Sequence, residues 1–203
     1  MKEYKARRFG AKSISMEHCE ALIIGGSAGS LEVLLKILPD IDVEISFPII
    51  IVLHRKSGKD SMLTDLLSSK TKLSVKELQE KEKINPGTIY IAPPNYHLLI
   101  ENNKTFSLDA SEKINFSRPS IDVAFESAAE IYKEHLVGLL LSGANSDGTI
   151  GLKKIKRNGG SVLVQNPKSA IVAYMPESAV QNVAVDRVLN PDEMANYINQ
   201  RSN

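Results

Sequence analysis

Buried-strand patterns alternate with helical patterns along most of the chain. Residues 22–25, 47–54, 136–142 and 161–165 are apolar runs without an alternating polar face, which is typical of strands covered on both sides. Residues 31–38 follow the first run with leucines at the i, i+3, i+4 and i+7 spacing of an amphipathic helix. Strands of this kind, spaced by helices, predict a three-layer α/β/α domain of the doubly wound class, built on a mostly parallel sheet.

The middle of the chain has a different pattern of short apolar segments. They are separated by the turn-forming strings Asn-Pro-Gly, Pro-Pro-Asn and Asn-Asn-Lys. The segments are "LSVKEL", "GTIYIAP", "HLLIE" and "TFSLD". They predict hairpins on an antiparallel edge, as an appendage to the parallel sheet. A helical pattern returns in residues 118–135, with Pro119 near its start.

Composition narrows the class of protein. With 203 residues, 42% of them hydrophobic, the chain suits one domain, which we assign to residues 19–203 after a basic, flexible tail at residues 1–18. The formal net charge of +1 gives no reason to expect nucleic acid or an anionic membrane surface as a partner. No apolar run reaches the roughly 18 residues of a membrane span, so we expect no membrane insertion.

Cysteine and histidine usage bears on compartment and cofactor. Cys19 is the single cysteine, which excludes a disulfide within the chain and favours a reducing cytoplasm. The four histidines show no metal-ligand spacing with a cysteine or with one another, so the sequence implies no metal and no cofactor.

Candidate chemistry lies at the ends of three predicted strands, where Ser27, His54 and Asp147 follow. In an open parallel sheet these strand ends share one edge, and loops converge there on one crevice. A serine hydroxyl becomes a nucleophile when an imidazole takes its proton, and a carboxylate orients that imidazole. The three residue types therefore predict a serine hydrolase site.

The string Gly25-x-Ser27-x-Gly29 strengthens that hypothesis. It fits the nucleophile elbow, in which small neighbours let the backbone turn sharply and leave the hydroxyl exposed. It does not fit the dinucleotide-binding G-x-G-x-x-G pattern, and it lacks the lysine of a P-loop. The chain order Ser, His, Asp differs from the Ser, acid, His order of α/β-hydrolases.

Each residue also has a simpler interpretation. Ser27 can cap the following helix or bind a phosphate at the helix N-terminus, and Asp147 can cap the helix after it. His54 can be an ordinary histidine at a strand end. Asp122 is a rival acid, although a carboxylate in the first turn of a helix is explained by the helix dipole alone. Sequence pattern leaves these alternatives open.

Beyond these residues, the chain resembles the catalytic domain of the CheB-type protein-glutamate methylesterases of bacterial chemotaxis. The resemblance covers about residues 20–185. It rests on the strings "IIGGSAGSLEVL", "FPIIIVLHRKSGKDSMLTDLL", "KINPGTIYIAPPNYHLLI", "RPSIDVAFESAA" and "GLLLSGANSDGTIGLKKIKRNGGSVLVQNPKSAIVAYMPESAV".

The resemblance implies roles and partners. Ser27 would be the nucleophile, His54 the general base and acid, and Asp147 the orienting carboxylate. The reaction would be hydrolysis of γ-glutamyl methyl esters, with deamidation of glutamines, on the cytoplasmic domain of a chemoreceptor. Family members of the larger kind carry a receiver domain ahead of the catalytic domain. The roughly 20 residues before the first strand are too few for one, so we expect either a free-standing member with a separate regulatory receiver protein or a piece of a larger protein.

The substrate pocket is predicted from the same strings. The elbow pattern makes the Ala28 N–H one oxyanion donor, and we expect a second from the Gly143–Ala144 turn. Arg118 lies in the "RPS" string, where it would face an acidic protein substrate; a solvated arginine at a helix start is the alternative.

Three positions depart from the pattern that the resemblance leads us to expect. Ser30 stands in place of a glycine, Arg55 in place of an apolar residue and Ala144 in place of a methionine. These departures leave two further hypotheses open: an esterase or amidase of another substrate, and a non-catalytic binding module that keeps the fold.

Overall fold

The structure is a computed structural model that describes residues 18–55 and 60–202. The predicted basic tail lies outside these residues, except for His18. The strands of the described residues are Ala21–Gly26 (β1), Ile49–Leu53 (β2), Ser74–Glu77 (β3), Thr88–Ile91 (β4), His97–Ile100 (β5), Phe106–Asp109 (β6), Leu136–Leu140 (β7), Ser161–Gln165 (β8) and Arg187–Leu189 (β9). The α-helices there are Ser30–Ile37 (α1), Asp60–Ser68 (α2), Ile121–Tyr132 (α3), Thr149–Arg157 (α4), Tyr174–Asn182 (α5) and Pro191–Asn199 (α6).

Seven strands form a parallel sheet in the order β3-β4-β2-β1-β7-β8-β9. The strands β1, β2 and β7 are buried along their whole length because helices cover both faces of the sheet. One face packs against α1 and α6, through residues such as Leu34 and Met194. The other packs against α3, α4 and α5, through residues such as Phe125, Leu152 and Met175. The predicted three-layer, mostly parallel α/β architecture is confirmed.

The predicted antiparallel edge is only half correct. β5 and β6 do form an antiparallel pair, which packs against α3. β3 and β4 instead run parallel to each other and belong to the main sheet, so the expectation of a hairpin there is wrong. The Asn-Pro-Gly string does not turn the chain back on itself. The Gly87 N–H bonds to the carbonyl of Phe47, and the chain then continues into β4, which lies beside β2.

The strand order sets the place of the candidate site. β1 pairs with β2 on one side and with β7 on the other, with Gly26 opposite Leu53 and Gly25 opposite Leu140. Ligand sites of open parallel sheets lie at such a switch in strand order, outside the carboxyl ends of the strands. The segments that follow β1, β2 and β7 therefore meet at one edge.

None of the helices in the described part of the chain combines the length and the apolar composition that a membrane crossing needs.

Candidate active site

A tight turn joins β1 to α1 and carries Ser27. The Ser30 N–H and hydroxyl both bond to the Ser27 carbonyl, at 3.1 and 2.5 Å, which closes the turn within three residues. A Cβ at Gly26 would lie 2.6 Å from the Ser30 Cβ, so position 26 has no room for a side chain. Gly29 has φ +83°, in the region that favours glycine. Ser30, which stands where the family pattern has a glycine, therefore fits inside the turn.

Ser27 does not cap α1. The N-cap is Gly29, and no side chain caps that end of the helix. Ser27 itself is partly exposed, and its N–H is fixed by the carbonyl of Ser142, which follows β7. The turn therefore presents the Ser27 side chain at the sheet edge rather than using it to satisfy the helix terminus.

His54 and Asp147 lie in direct contact beside this turn. The Nε2 atom of His54 is 2.7 Å from Oδ2 of Asp147. The backbone N–H of His54 bonds to the Gly26 carbonyl at 3.2 Å, which holds the histidine next to the turn. Because Nε2 is engaged by the carboxylate, Nδ1 is the ring nitrogen left for a second partner. Within the described residues, the Ser27 hydroxyl makes no hydrogen bond to that ring.

Asp147 lies at the N-terminus of α3 rather than capping its own helix, whose N-cap is Gly148. Its carboxylate accepts the N–H groups of Ile121 at 2.7 Å and Asp122 at 3.0 Å. These are the first N–H groups of α3, which lack partners inside the helix and favour an anion there. Although burial alone would raise the pKa of Asp147, the hydrogen bonds from His54 and from these backbone groups lower it overall. The carboxylate is therefore held ionised.

Asp122, the rival acid, has a different environment. It is buried, and its Oδ1 accepts the Gly151 N–H at 2.8 Å. Burial, together with the charge of Asp147, raises the pKa of Asp122 to about 7. Its carboxylate joins α3 to α4, and the hydrogen bond to His54 belongs to Asp147.

The predicted oxyanion donors divide into two groups. The Gly143 N–H is bonded to the Val172 carbonyl at 3.1 Å, so it is not available. The N–H groups of Ala28 and Ala144 have no acceptor among the described residues, and both residues are exposed at the sheet edge.

Hydrogen bonds of the Ser142 side chain hold the turn between β1 and α1 in place. Its buried hydroxyl lies 2.7 Å from the Ala28 carbonyl and accepts the Val172 N–H at 2.9 Å. A Cβ at Gly29 would lie 2.8 Å from this hydroxyl and 2.7 Å from the Ile171 Cβ. Thus the end of β7 and the segment before α5 fix the backbone that presents Ser27.

Two of the singled-out arginines are engaged locally. Nη1 of Arg118 donates to the carbonyls of Ala110 and Ser111, which anchors the segment after β6. Arg55 forms an ion pair with Glu77 and donates to the Ala92 carbonyl, so a charged partner from β3 accompanies this departure from the family pattern.

Sequence reasoning missed the roles of Ser120, Ser142 and His97. Ser120 is the N-cap of α3, and its hydroxyl also donates to Oδ1 of Asp147 at 3.0 Å. The serine just before a helix was a visible capping signal. Its second partner was not visible, because Asp147 follows it by 27 residues.

Neither a metal-binding group nor a reactive thiol is found in the residues that the structure describes. Over residues 18–55 and 60–202, no group of three or more His, Cys, Asp or Glu side chains is placed to hold a metal ion. Cys19 is buried, and burial raises the pKa of its thiol to about 12, so a thiolate nucleophile does not form there near neutral pH.

Comparison with known proteins places the chain in a family. The model of the CheB methylesterase family matches residues 22–198. A protein of Leptospira interrogans (strain Fiocruz L1-130), provisionally named a protein-glutamate methylesterase/protein-glutamine glutaminase, is 49% identical over 176 residues, which are 87% of this chain and 91% of that protein. The protein-glutamate methylesterase/protein-glutamine glutaminase of Thermotoga maritima is 37% identical over 83% of this chain, which spans 50% of that longer protein.

A solved structure gives the same result. The fold matches the crystal structure of the Thermotoga maritima CheB methylesterase catalytic domain with a TM-score of 0.86 and 34% identity, covering 90% of this chain and 98% of that one. The family model and the relatives extend over most of the strands and helices that build the sheet edge described above. This chain belongs to the CheB methylesterase family.

Proposed function

We propose that the chain is a serine hydrolase that removes methyl groups from γ-glutamyl methyl esters of a protein, and that it deamidates glutamines by the same route. The observation that carries the proposal is the 2.7 Å contact between His54 and an ionised, buried Asp147, beside a turn that presents Ser27. The names of the relatives from Leptospira and Thermotoga supply the substrate class.

The geometry supports a proton route for the proposed reaction. Asp147 holds the His54 ring with its proton on Nε2, which leaves Nδ1 as the base. Ser27 Oγ attacks the side-chain carbonyl of the substrate as Nδ1 takes the hydroxyl proton, and an acyl-enzyme forms when methanol or ammonia leaves with that proton. Water, deprotonated by the same nitrogen, then attacks the acyl group and releases glutamate and free Ser27.

The oxyanion of each tetrahedral intermediate needs fixed donors. We assign this role to the Ala28 N–H and the Ala144 N–H, because neither is used by an acceptor in the described residues. Losing one such donor typically costs about 10²–10³-fold in turnover. Backbone N–H groups donate equally to the oxyanion formed from an ester and to the one formed from an amide, which accommodates both activities.

The site also suits a protein as substrate. Ala28 and Ala144 are exposed and His54 keeps 13% of its side chain accessible, so the chemistry occurs at an open edge rather than in a closed cavity. We propose the cytoplasmic domain of a methylated chemoreceptor as the substrate, with the reaction taking place in the cytoplasm and a separate receiver protein as regulator. Contact between Arg118 and acidic residues of that substrate stays a prediction.

Methanol release from a methylated chemoreceptor tests the proposal. The wild type is expected to release methanol, and Ser27→Ala is expected to lose at least about 10³-fold in turnover, since the nucleophile is gone. Equal release from both proteins would remove Ser27 from the mechanism.

A panel of small esters and amides, assayed in parallel with the receptor, separates a protein methylesterase from an esterase of another substrate. A serine-directed organophosphonate addresses the non-catalytic alternative. Labelling of Ser27 in the wild type but not in His54→Gln supports an activated serine, and absence of labelling in the wild type favours a binding module.

A further inference from the structure

We propose that Ser120 is a positioning residue for the hydrolysis, and that the buried His97 ring holds Ser120 in place. The inference rests on the proposed function, because Ser120 acts through the carboxylate that orients His54. Within the described residues, no hydrogen bond joins either residue to the Ser27 turn. Their effect is on the angle and charge of the Asp147 carboxylate.

Ser120 supplies a side-chain hydrogen bond to Asp147 from the side opposite His54. Its hydroxyl, fully buried, donates to Oδ1 at 3.0 Å, while His54 uses Oδ2 at 2.7 Å. The other donors to Asp147 are backbone N–H groups of residues 121, 122 and 148. A serine hydroxyl can donate one hydrogen bond. Here the acceptor is an ionised, buried carboxylate, and hydrogen bonds to ionised groups are stronger than those between neutral groups.

A hydrogen bond to the His97 ring holds the backbone of Ser120 in place. Its Nδ1 accepts the Ser120 N–H at 3.1 Å, and its Nε2 donates to the Glu112 carbonyl at 2.9 Å. The first contact requires an unprotonated Nδ1, so the ring is neutral with its proton on Nε2. Only 1% of His97 is exposed. The ring thus connects β5 and the segment after β6 to the start of α3, and through Ser120 to Asp147.

This arrangement does more than cap a helix. The capping bond of Ser120, from the Val123 N–H, is long at 3.5 Å, whereas the bond to Asp147 is 0.5 Å shorter. A cap alone would explain a serine here, but not the donation of its proton to Asp147. We infer that the hydroxyl restrains rotation of the carboxylate and so keeps Oδ2 aimed at His54.

The first experiment compares Ser120→Ala, Ser120→Gly and Ser120→Thr for turnover on a methylated receptor and for thermal stability. Alanine and glycine both remove the hydroxyl, but glycine is the better N-cap of the two and keeps the helix start. We expect both to lower kcat by roughly tenfold with KM unchanged, well below the 10⁴-fold that loss of a triad carboxylate costs. Threonine keeps the hydroxyl and is expected to restore most of kcat.

A matched control lies on the same helix. Ser127 joins α3 to β5 by bonds to the N–H and carbonyl of Ile100, at 2.7 and 3.3 Å, with no contact to Asp147. Ser127→Ala should lower stability without the fall in kcat. Equal kcat losses in Ser127→Ala and Ser120→Gly, or full kcat in Ser120→Gly, would overturn the proposal and leave Ser120 as a structural cap.

The pH dependence of kcat/KM gives a readout that a structural role does not move. A carboxylate with one donor fewer attracts the protonated His54 ring more strongly, so the acid limb of the profile should move to higher pH in Ser120→Ala and Ser120→Gly. Asp122 is the other titratable group against Asp147, and these variants leave it in place. An unmoved acid limb in both variants contradicts the inference.

The second experiment separates the two contacts of His97. The side-chain oxygen of His97→Asn can stand where Nδ1 accepts from Ser120, and the amide nitrogen of His97→Gln can stand where Nε2 donates to Glu112. If the ring acts through Ser120, His97→Asn should keep kcat within about threefold of the wild type. The kcat of His97→Gln should then fall to about that of Ser120→Ala. A larger loss of kcat in His97→Asn than in His97→Gln would contradict this and show that His97 acts through its bond to the Glu112 carbonyl instead.

The same assays distinguish failure of this inference from failure of the proposed function. If Ser27→Ala turns over as fast as the wild type, the proposed function fails and the inference fails with it. If Ser27→Ala is inactive while Ser120→Gly retains the wild-type kcat and pH profile, the inference alone fails.

Discussion

At the scale of single residues, the Asp147 carboxylate is surrounded by donors. Its two oxygens accept from five groups among the described residues, namely the His54 ring, the Ser120 hydroxyl and the N–H groups of residues 121, 122 and 148. Because all five are donors, an ionised carboxylate satisfies them and a neutral amide cannot. The same donors lower the pKa of Asp147 against the opposing effect of burial.

Replacement of this residue gives the first prediction. Asp147→Asn would turn an amide NH₂ toward groups that also donate, so the His54 ring loses its partner or takes the wrong tautomer. We expect turnover on methylated receptor to fall by about 10⁴-fold, as for other triads that lose this carboxylate. Asp109→Asn, which changes an exposed carboxylate in β6, is the control and should retain activity. A loss of less than tenfold in Asp147→Asn would contradict the assigned role.

Asp122 gives the second prediction, which concerns stability and pH. The pKa of Asp122 is about 7 in the folded protein and about 3.9 in an unfolded chain, so the folded state holds a proton that the unfolded state releases. Between these values the free energy of unfolding therefore falls as pH rises, and the loss is complete above pH 7. Asp122→Asn keeps an oxygen for the Gly151 N–H but cannot ionise.

The stability difference between Asp122→Asn and the wild type should accordingly grow in favour of the variant from about pH 4 to about pH 7, then level off. Urea unfolding at a series of pH values measures it. Parallel curves for the two proteins would show that Asp122 does not titrate in this window.

At the scale of elements, the turn between β1 and α1 depends on crowding as well as on backbone conformation. Gly29 and Gly87 both have positive φ, +83° and +67°. A Cβ at Gly29 would lie 2.7 Å from the Ile171 Cβ, whereas the nearest atom to one at Gly87 is 3.8 Å away. The two glycines therefore form a matched pair that differs mainly in available space.

The third prediction uses this pair. Gly87→Ala should cost about 1–2 kcal/mol of unfolding free energy, from the left-handed backbone alone. Gly29→Ala should cost about 1–3 kcal/mol more, because Ile171 must move, and it should also lower turnover by displacing Ser27 and Ala28. Urea unfolding and methanol release measure the two effects. Equal destabilisation by both substitutions would mean that the segment before α5 does not press on the turn.

Much of the element structure could be predicted from the sequence, since buried parallel strands need continuous apolar runs. β8 was predicted at its observed bounds. The apolar spacing also located α1 and α3, although α1 begins one residue before the predicted pattern and α3 begins three residues after its start. The parallel direction of β3 and β4 could not be predicted, because the sequence of a short strand next to turn residues does not specify which strand it pairs with. β9, with three residues, is too short to give a pattern.

For the candidate site, the convergence of the three residues was predictable, and their hydrogen-bond connections were not. Ser27, His54 and Asp147 follow strands, and strand ends converge. The capping interpretations of Ser27 and Asp147 are wrong, because glycines occupy both N-cap positions and Asp147 instead serves the N-terminus of α3. Such a contact between distant elements depends on how α3 packs on the sheet, which local pattern does not encode.

At the scale of the whole molecule, helices cover both faces of the seven-stranded sheet, and the described contacts of this unit begin with His18. The carbonyl of His18 accepts from the His135 ring at 3.0 Å, and the Glu20 N–H bonds to the His135 carbonyl. The predicted tail ahead of it stays a prediction.

The fourth prediction concerns that tail. Deletion of residues 1–17 should leave the thermal midpoint and the kcat/KM on methylated receptor unchanged within about twofold, because the sequence predicts a basic, flexible tail there, ahead of the catalytic domain. A control deletion that also removes residues 18–20 should lower the midpoint, since it breaks the contacts with His135. A fall in activity from the shorter deletion would show that the basic segment takes part in substrate binding.

The order of the strands also has a consequence for biosynthesis. The serine and the histidine follow β1 and β2 and are made first, whereas the aspartate follows that histidine by 93 residues and comes after β7, the other neighbour of β1. A nascent chain on the ribosome, or a product of premature termination before residue 147, therefore carries a serine that no oriented imidazole activates. On the proposed function, ester cleavage therefore requires that the centre of the sheet is complete.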